Sequence, residues 1–213
     1  MRPQEPTCPS VASPAPEAAE SRTAFRDALV RFEELARTCT ADSLRMEDLV
    51  LRAGRAAPEA TTHPFHAAGS AQDRHEVRRV TLLLLDILYG EPMSAVTRIT
   101  TDLTGDRGRL RPAWEFALRV RGDAGGPPAE GVDHVHQVVV AYGRETFRPN
   151  LARCRALWSR LPAADRALLS PEVTGVMARV TEHLDALESA FSAVEHASRA
   201  LRTTEHAGRL RAA

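Results

Sequence analysis

The sequence predicts a mainly α fold, a helical bundle with a long C-terminal helix. The first observation is the run Val173, Met177, Val180, Leu184, Leu187, Phe191, Val194, Ser198 and Leu201, which alternates steps of four and three over four heptads. Val176, Ala190 and Ala197 flank it, so the apolar stripe is wider than a two-stranded seam. The second is a similar run, Phe25, Leu29, Phe32, Ala36, Cys39, Ser43, Met46, Val50 and Ala53, near the other end. The third is punctuation: Pro92 with Gly105, and Pro112 with Gly122, place proline just inside a helix start and glycine just past its end.

Residues 1–20 hold five of the 14 prolines and little to bury, and are expected to form a disordered tail rather than a signal peptide. The remainder, 21–213, is expected to be a single helical domain. Ser21 is the expected cap of the first helix, which runs to Gly54 either whole or broken near Thr40–Ser43. Residues 54–72 read as a loop. Asp73 to Tyr89 follows as a helix, apolar at Val77, Val80, Leu84, Ile87 and Leu88, and is expected to be the central, most buried one.

The middle of the chain admits two readings. Trp114, Phe116, Leu118 and Val120 alternate with polar or small residues, which is the period of a half-buried strand. Val96 to Thr101 and Val138 to Tyr142 are rich in β-branched residues. The alternative to an all-helical middle is therefore a three-stranded antiparallel meander at about 94–142, in an α+β fold. Helix returns at Asn150 to Leu161. Ser170-Pro171-Glu172 then opens the last helix with a capping hydroxyl, a first-turn proline and an acid at the positive end.

The 28 basic residues are all arginine; lysine is absent, and Asn150 is the sole asparagine. That excludes a phosphate-loop lysine, a lysine Schiff base and a Ser–Lys dyad. The 28 acids cancel the arginines, so an electrostatic partner must be met by a local patch. Three cysteines (Cys8, Cys39 and Cys154) match no zinc spacing and read as free thiols of a cytoplasmic protein. The greasiest stretch, Val80 to Tyr89, is too short to span a bilayer, and no membrane partner is expected.

Candidate sites are few. Arg107, Arg109 and Arg111 crowd a glycine-containing turn, and Arg119 and Arg121 follow. Guanidinium forks on a turn whose backbone curls around Gly105 and Gly108 suit an anionic group on a partner. Residues 144–160 carry five arginines against Glu145 alone. His134 and His136 would share one face of a strand and hold a metal there, with His63 or His66 as a third ligand; on a helix they diverge. His183, His196 and His206 do not share one helix face and read as solvated. No cofactor motif is present, and no cofactor is expected.

Ser43-Leu-Arg-Met-Glu-Asp-Leu-Val-Leu-Arg-Ala-Gly54 resembles the second helix of the helix-turn-helix in TetR-type repressors, and His63-Pro-Phe65 resembles the aromatic end of their recognition helix. The resemblance covers about 12 residues of this chain. It implies a ligand-responsive DNA-binding transcriptional regulator with a helix-turn-helix near 28–66. Pro58 and Pro64 depart from that pattern, and seven arginines against seven acids over 21–60 leave no positive face by count.

The expected function is that of a non-catalytic interaction or regulatory protein, acting through protein partners and self-association along 173–201. A helix of that length, about 50 Å, outruns a compact body and would need a second subunit to cover it. DNA-binding regulation is the first alternative, with nucleic acid as partner. A metal-dependent enzyme using His134 and His136 is the second.

Overall fold

The computed structural model describes residues 16–55, 71–119, 130–159, 161–162, 165–166 and 169–212. The fold is mainly α: several packed helices and a long C-terminal one. Helix α1 spans Pro16–Arg55, α2 Ala71–Tyr89, α3 Glu91–Thr97, α4 Ile99–Thr104 and α5 Arg111–Arg119. Helix α6, Glu130–Tyr142, passes through a π turn, Gly143–Phe147, directly into α7, Arg148–Ser159. Helix α8, Pro171–Ala212, closes the chain.

The frame is an antiparallel pair. Helices α1 and α8 have 40 and 42 residues, each about 60 Å long at 1.5 Å per residue. Ion pairs record the register: Glu17 meets Arg211, Arg22 meets Glu205, and Arg45 meets Glu172. Among the described side chains both sequence stripes face inward, Met177 only in part. Phe25, Leu29, Phe32, Ala36, Cys39, Met46 and Val50 on α1 are buried, as are Val173, Val180, Leu184, Leu187, Phe191, Val194 and Leu201 on α8. Within one chain, α1 thus lies along the stripe over 173–201, because the body beside α8 includes a helix of nearly equal length.

Helix α1 is one element, beginning at Pro16 rather than Ser21, with Ala18 already buried. It does not break at Thr40–Ser43. Thr40 and Ser43 donate their hydroxyls to the carbonyls of Ala36 and Cys39 one turn back, so neither competes for a cap. Of the stretch 28–66 named for a helix-turn-helix, residues 28–55 lie within α1, and 56–66 lie outside the described residues. At the start of α8, Ser170 Oγ accepts the Val173 amide at 3.3 Å, the expected cap.

The meander reading is also corrected; among the described residues of 94–142 there are helices and the turn at 105–110, and no strand. In α5 the buried positions are Ala113, Phe116 and Ala117, a helical face, while Leu118 is half exposed. The period-two pattern of Trp114 to Val120 was an accident of which apolar residues lie off that face; Val120 itself is outside the described residues. In α6, Val132, Val135, Val139 and Tyr142 are buried at steps of three and four. Burial against α8 outweighs the β preference of these valines. The glycine-rich 122–129 lies outside the described residues.

An aromatic cluster seals the centre. The Phe191 ring of α8 lies 4.6 Å from Phe147, 5.2 Å from Phe32 and 5.9 Å from Tyr142, centroid to centroid. The π turn meets α8 here. A Cβ on Gly143 would stand 2.6 Å from both Phe191 Cε1 and Glu195 Oε1, so the close approach requires glycine. Helix α2 is peripheral, contrary to expectation. Val80, Leu84, Ile87 and Leu88 are buried, but Leu82 and Tyr89 are each 58% exposed. The side chain of Val77 is outside the described set.

Candidate functional site

The arginine turn folds back on α4. Gly105 N–H donates to Thr101 O at 2.8 Å, Gly108 to Gly105 O at 2.9 Å, Leu110 to Asp102 O at 2.8 Å and Arg111 to Gly108 O at 3.2 Å. Gly108 packs so close that a Cβ would lie 2.3 Å from Asp102 O. Two of these amides close the end of α4 and two bond within the turn itself, so none of the four is offered to an anion. The guanidinium groups are engaged too. Arg111 donates to Glu115 at 2.6 Å and to Asp106 at 2.5 Å, and these hydrogen bonds raise its pKa further. Arg109 donates to Thr146 Oγ1 of the π turn, with Glu145 3.7 Å away. Arg119 donates to the Glu115 carbonyl at 3.4 Å. Arg107 is exposed. Arg121 lies outside the described residues, so the five arginines are not brought together as one fork. An anionic partner at this turn competes with Asp106, Glu115 and Glu145.

The positive run 144–160 is likewise answered across the fold. Arg148 makes a bidentate pair with Glu195, and its guanidinium carbon lies 5.9 Å from the Phe191 ring centre. Arg155 reaches Asp185 and Glu188 at 2.5 Å each. Arg144 takes Glu145, which holds that carboxyl below its ordinary range. The acids that meet Arg148 and Arg155 come from α8, some 30 to 47 residues away in the chain, so a local charge count could not see them.

Next to this turn, Tyr142 donates to Asp102 at 3.0 Å. Burial, then the Asp102 charge, push the phenol upward. Tyr142, Thr146, Phe147, Asn150, Ala95 and Val96 line a shallow surface indentation with no enclosed room for a water molecule.

Helix α6 places His134 and His136 on different sides, as helical geometry requires. The strand on which they would share a metal is absent, and that expectation is corrected. His134 is exposed; His136 Nδ1 lies 3.0 Å from Ser198 Oγ of α8. Ser198 Oγ also lies 2.8 Å from the Glu195 carbonyl oxygen one turn back. Burial, with Arg202 and Arg199 nearby, lowers the His136 pKa. Among the described residues no three His, Cys, Asp or Glu side chains gather as a metal-binding group. His63 and His66 lie outside them.

The other histidines correct the solvated reading in part. His183 is mostly buried, its Nε2 3.0 Å from Asp42 Oδ2, and Arg179 reaches the same oxygen at 3.3 Å. His206 approaches Asp133 at 3.0 Å and lowers its pKa. His196 is exposed. Cys39 and Cys154 are buried, and desolvation pushes both thiols up to about 12.

Sequence reasoning missed the outer face of α2. His75, Arg78, Leu82, Asp86 and Tyr89 are all exposed there. Tyr89 donates its hydroxyl to Glu47 of α1, which raises its pKa. Leu44, 59% exposed, lies one turn before Glu47. The signal was a second row of residues at steps of three and four, lying opposite the buried row of the same helix.

No family model, curated protein or solved structure matches this chain. Among the described residues no helix is long and apolar enough to cross a membrane.

Proposed function

We propose that the chain is a non-catalytic helical interaction protein that acts through protein–protein contacts as a homodimer. The observation that carries this reading is the outer face of α2, where Leu82 and Tyr89 are each 58% exposed and the opposite charges Arg78 and Asp86, also exposed, flank Leu82. An apolar residue between opposite charges suits a protein contact surface. The groups best suited to chemistry are already engaged inside the fold. Both described thiols are pushed up to about 12, Tyr142 is tied to Asp102, and His136 to Ser198.

The proposed contact surface is on α2, since within one chain α1 lies along the stripe of 173–201. The test is sedimentation of the full chain from about 1 to about 100 µM, the range in which an interface of modest area assembles. A mass rising from monomer to dimer is expected. A monomer throughout overturns the proposal.

A further inference from the structure

We propose that the outer face of α2 is a self-complementary docking surface for a second copy of this chain, with the two α2 helices antiparallel about a two-fold axis at Leu82. The proposal rests on the homodimer reading and specifies its surface. His75, Arg78, Leu82, Asp86 and Tyr89 are separated by steps of three, four, four and three, a spacing that is the same read from either end. At about 100° per residue, all five lie within about 40° of Leu82 around the helix. A two-fold axis there maps each position onto the one equally far on the other side of Leu82. Leu82 then faces the partner's Leu82. Arg78 faces the partner's Asp86, and Asp86 faces the partner's Arg78. Tyr89 faces the partner's His75.

The chemistry is complementary at every pair: apolar at the centre, opposite charges on each side, and an aromatic ring against an imidazole at each end. A parallel arrangement would bring Arg78 against the partner's Arg78 and Asp86 against the partner's Asp86, so charge selects the antiparallel one. Among the described residues neither Arg78 nor Asp86 is ion-paired within its own chain, in contrast to Arg79, which is held by Glu76 and Asp165. The isologous pattern is what a closed dimer requires. A single pair of helices buries an area at the low end for specific interfaces, so the dimer is expected to form at micromolar concentration. The two charge pairs are rimmed by water and set the register more than the strength.

The experiment is sedimentation equilibrium of the full chain with four samples: the unaltered protein, Leu82→Arg, Arg78→Asp and Asp86→Arg, together with an equimolar mixture of the last two. All substituted positions are exposed, and each variant is checked for unchanged helicity and melting. Leu82→Arg sets like charges at the axis and is expected to leave only monomer at about 50 µM. Arg78→Asp and Asp86→Arg each place like charges at both side contacts, which weakens the dimer by about tenfold. The mixture of R78D with D86R restores opposite charges at both contacts, and recovers the dimer. A dimer of Leu82→Arg as tight as the unaltered one overturns the α2 surface and leaves the homodimer reading standing. Recovery failing in the mixture, after both single variants have weakened, overturns the antiparallel register. A monomer at all concentrations of the unaltered chain overturns the homodimer reading and this surface with it.

Discussion

Adding one methyl group at Gly143 is expected to destabilise the protein, although in an ordinary helix the same change stabilises it. Glycine in a helix interior costs about 1 kcal/mol relative to alanine. That gain is opposed at Gly143, where the new Cβ would meet Phe191 Cε1 and Glu195 Oε1 at 2.6 Å and Arg148 Nη1 at 3.2 Å. Ordinary contact begins near 3.4 Å, so the neighbours must retreat by about 1 Å. The Glu195 carboxylate is the end of a flexible side chain and can move, at the expense of its bidentate bond to Arg148. The Phe191 ring cannot move freely, because it is wholly buried against Phe147, Phe32 and Tyr142. Overpacking of this kind costs about 1–3 kcal/mol. With the propensity gain subtracted, a net loss of up to about 2 kcal/mol is expected, or several degrees in Tm for a chain of this size. Gly175→Ala is the control: its Cβ would meet only Arg179 Nη1 at 4.0 Å, so a gain of about 0.5–1 kcal/mol is expected there. Urea unfolding of both variants measures the contrast. If Gly143→Ala is as stabilising as Gly175→Ala, the π turn does not pack against α8 as described.

Leu187, wholly buried on the inner face of α8, is expected to cost about 2–5 kcal/mol on substitution by alanine; a loss below about 0.5 kcal/mol in denaturant unfolding would contradict its place in the core. Cys39 and Cys154, with thiols pushed up to about 12, are expected to stay unmodified by a thiol reagent at pH 8 until the protein unfolds, and modification of either in the native state, read by peptide mass, argues against their burial. His136 has a lowered pKa in the fold, so the unfolded chain takes up its proton first. The stability present above the ordinary histidine value near 6.5 is therefore lost as pH falls through the lower folded value. His136→Asn is expected to flatten the fall of Tm on that acid side, and an unchanged slope would remove His136 as its source.

The α2 helix shows where reading the residues succeeds and where it stops. Its buried row, Val80, Leu84, Ile87 and Leu88, was visible as helical periodicity. The same apolar richness made α2 look central, because periodicity tells which residues share a face and not how much of the circumference neighbours will cover. Leu82 and Tyr89 fall on the uncovered side. In α5 and α6 the local signals pointed both ways, and long-range burial of Phe116, Val135 and Val139 chose helix. The arginine runs were misleading for a related reason: Arg111 meets acids within its own turn, but Arg148 and Arg155 meet theirs on α8.

By itself the sequence determined the mainly helical class, the two long apolar stripes and the start of the last helix at Pro171, because each depends on residues within one or two turns of one another. Tertiary structure alone decided that the stripe of α8 lies along α1 within the same chain. It likewise decided that Gly143 must be glycine, that His136 meets Ser198, and that one face of α2 is left exposed. Each of these is a contact between residues from different helices. Periodicity along one helix carries no information about which surface it will meet.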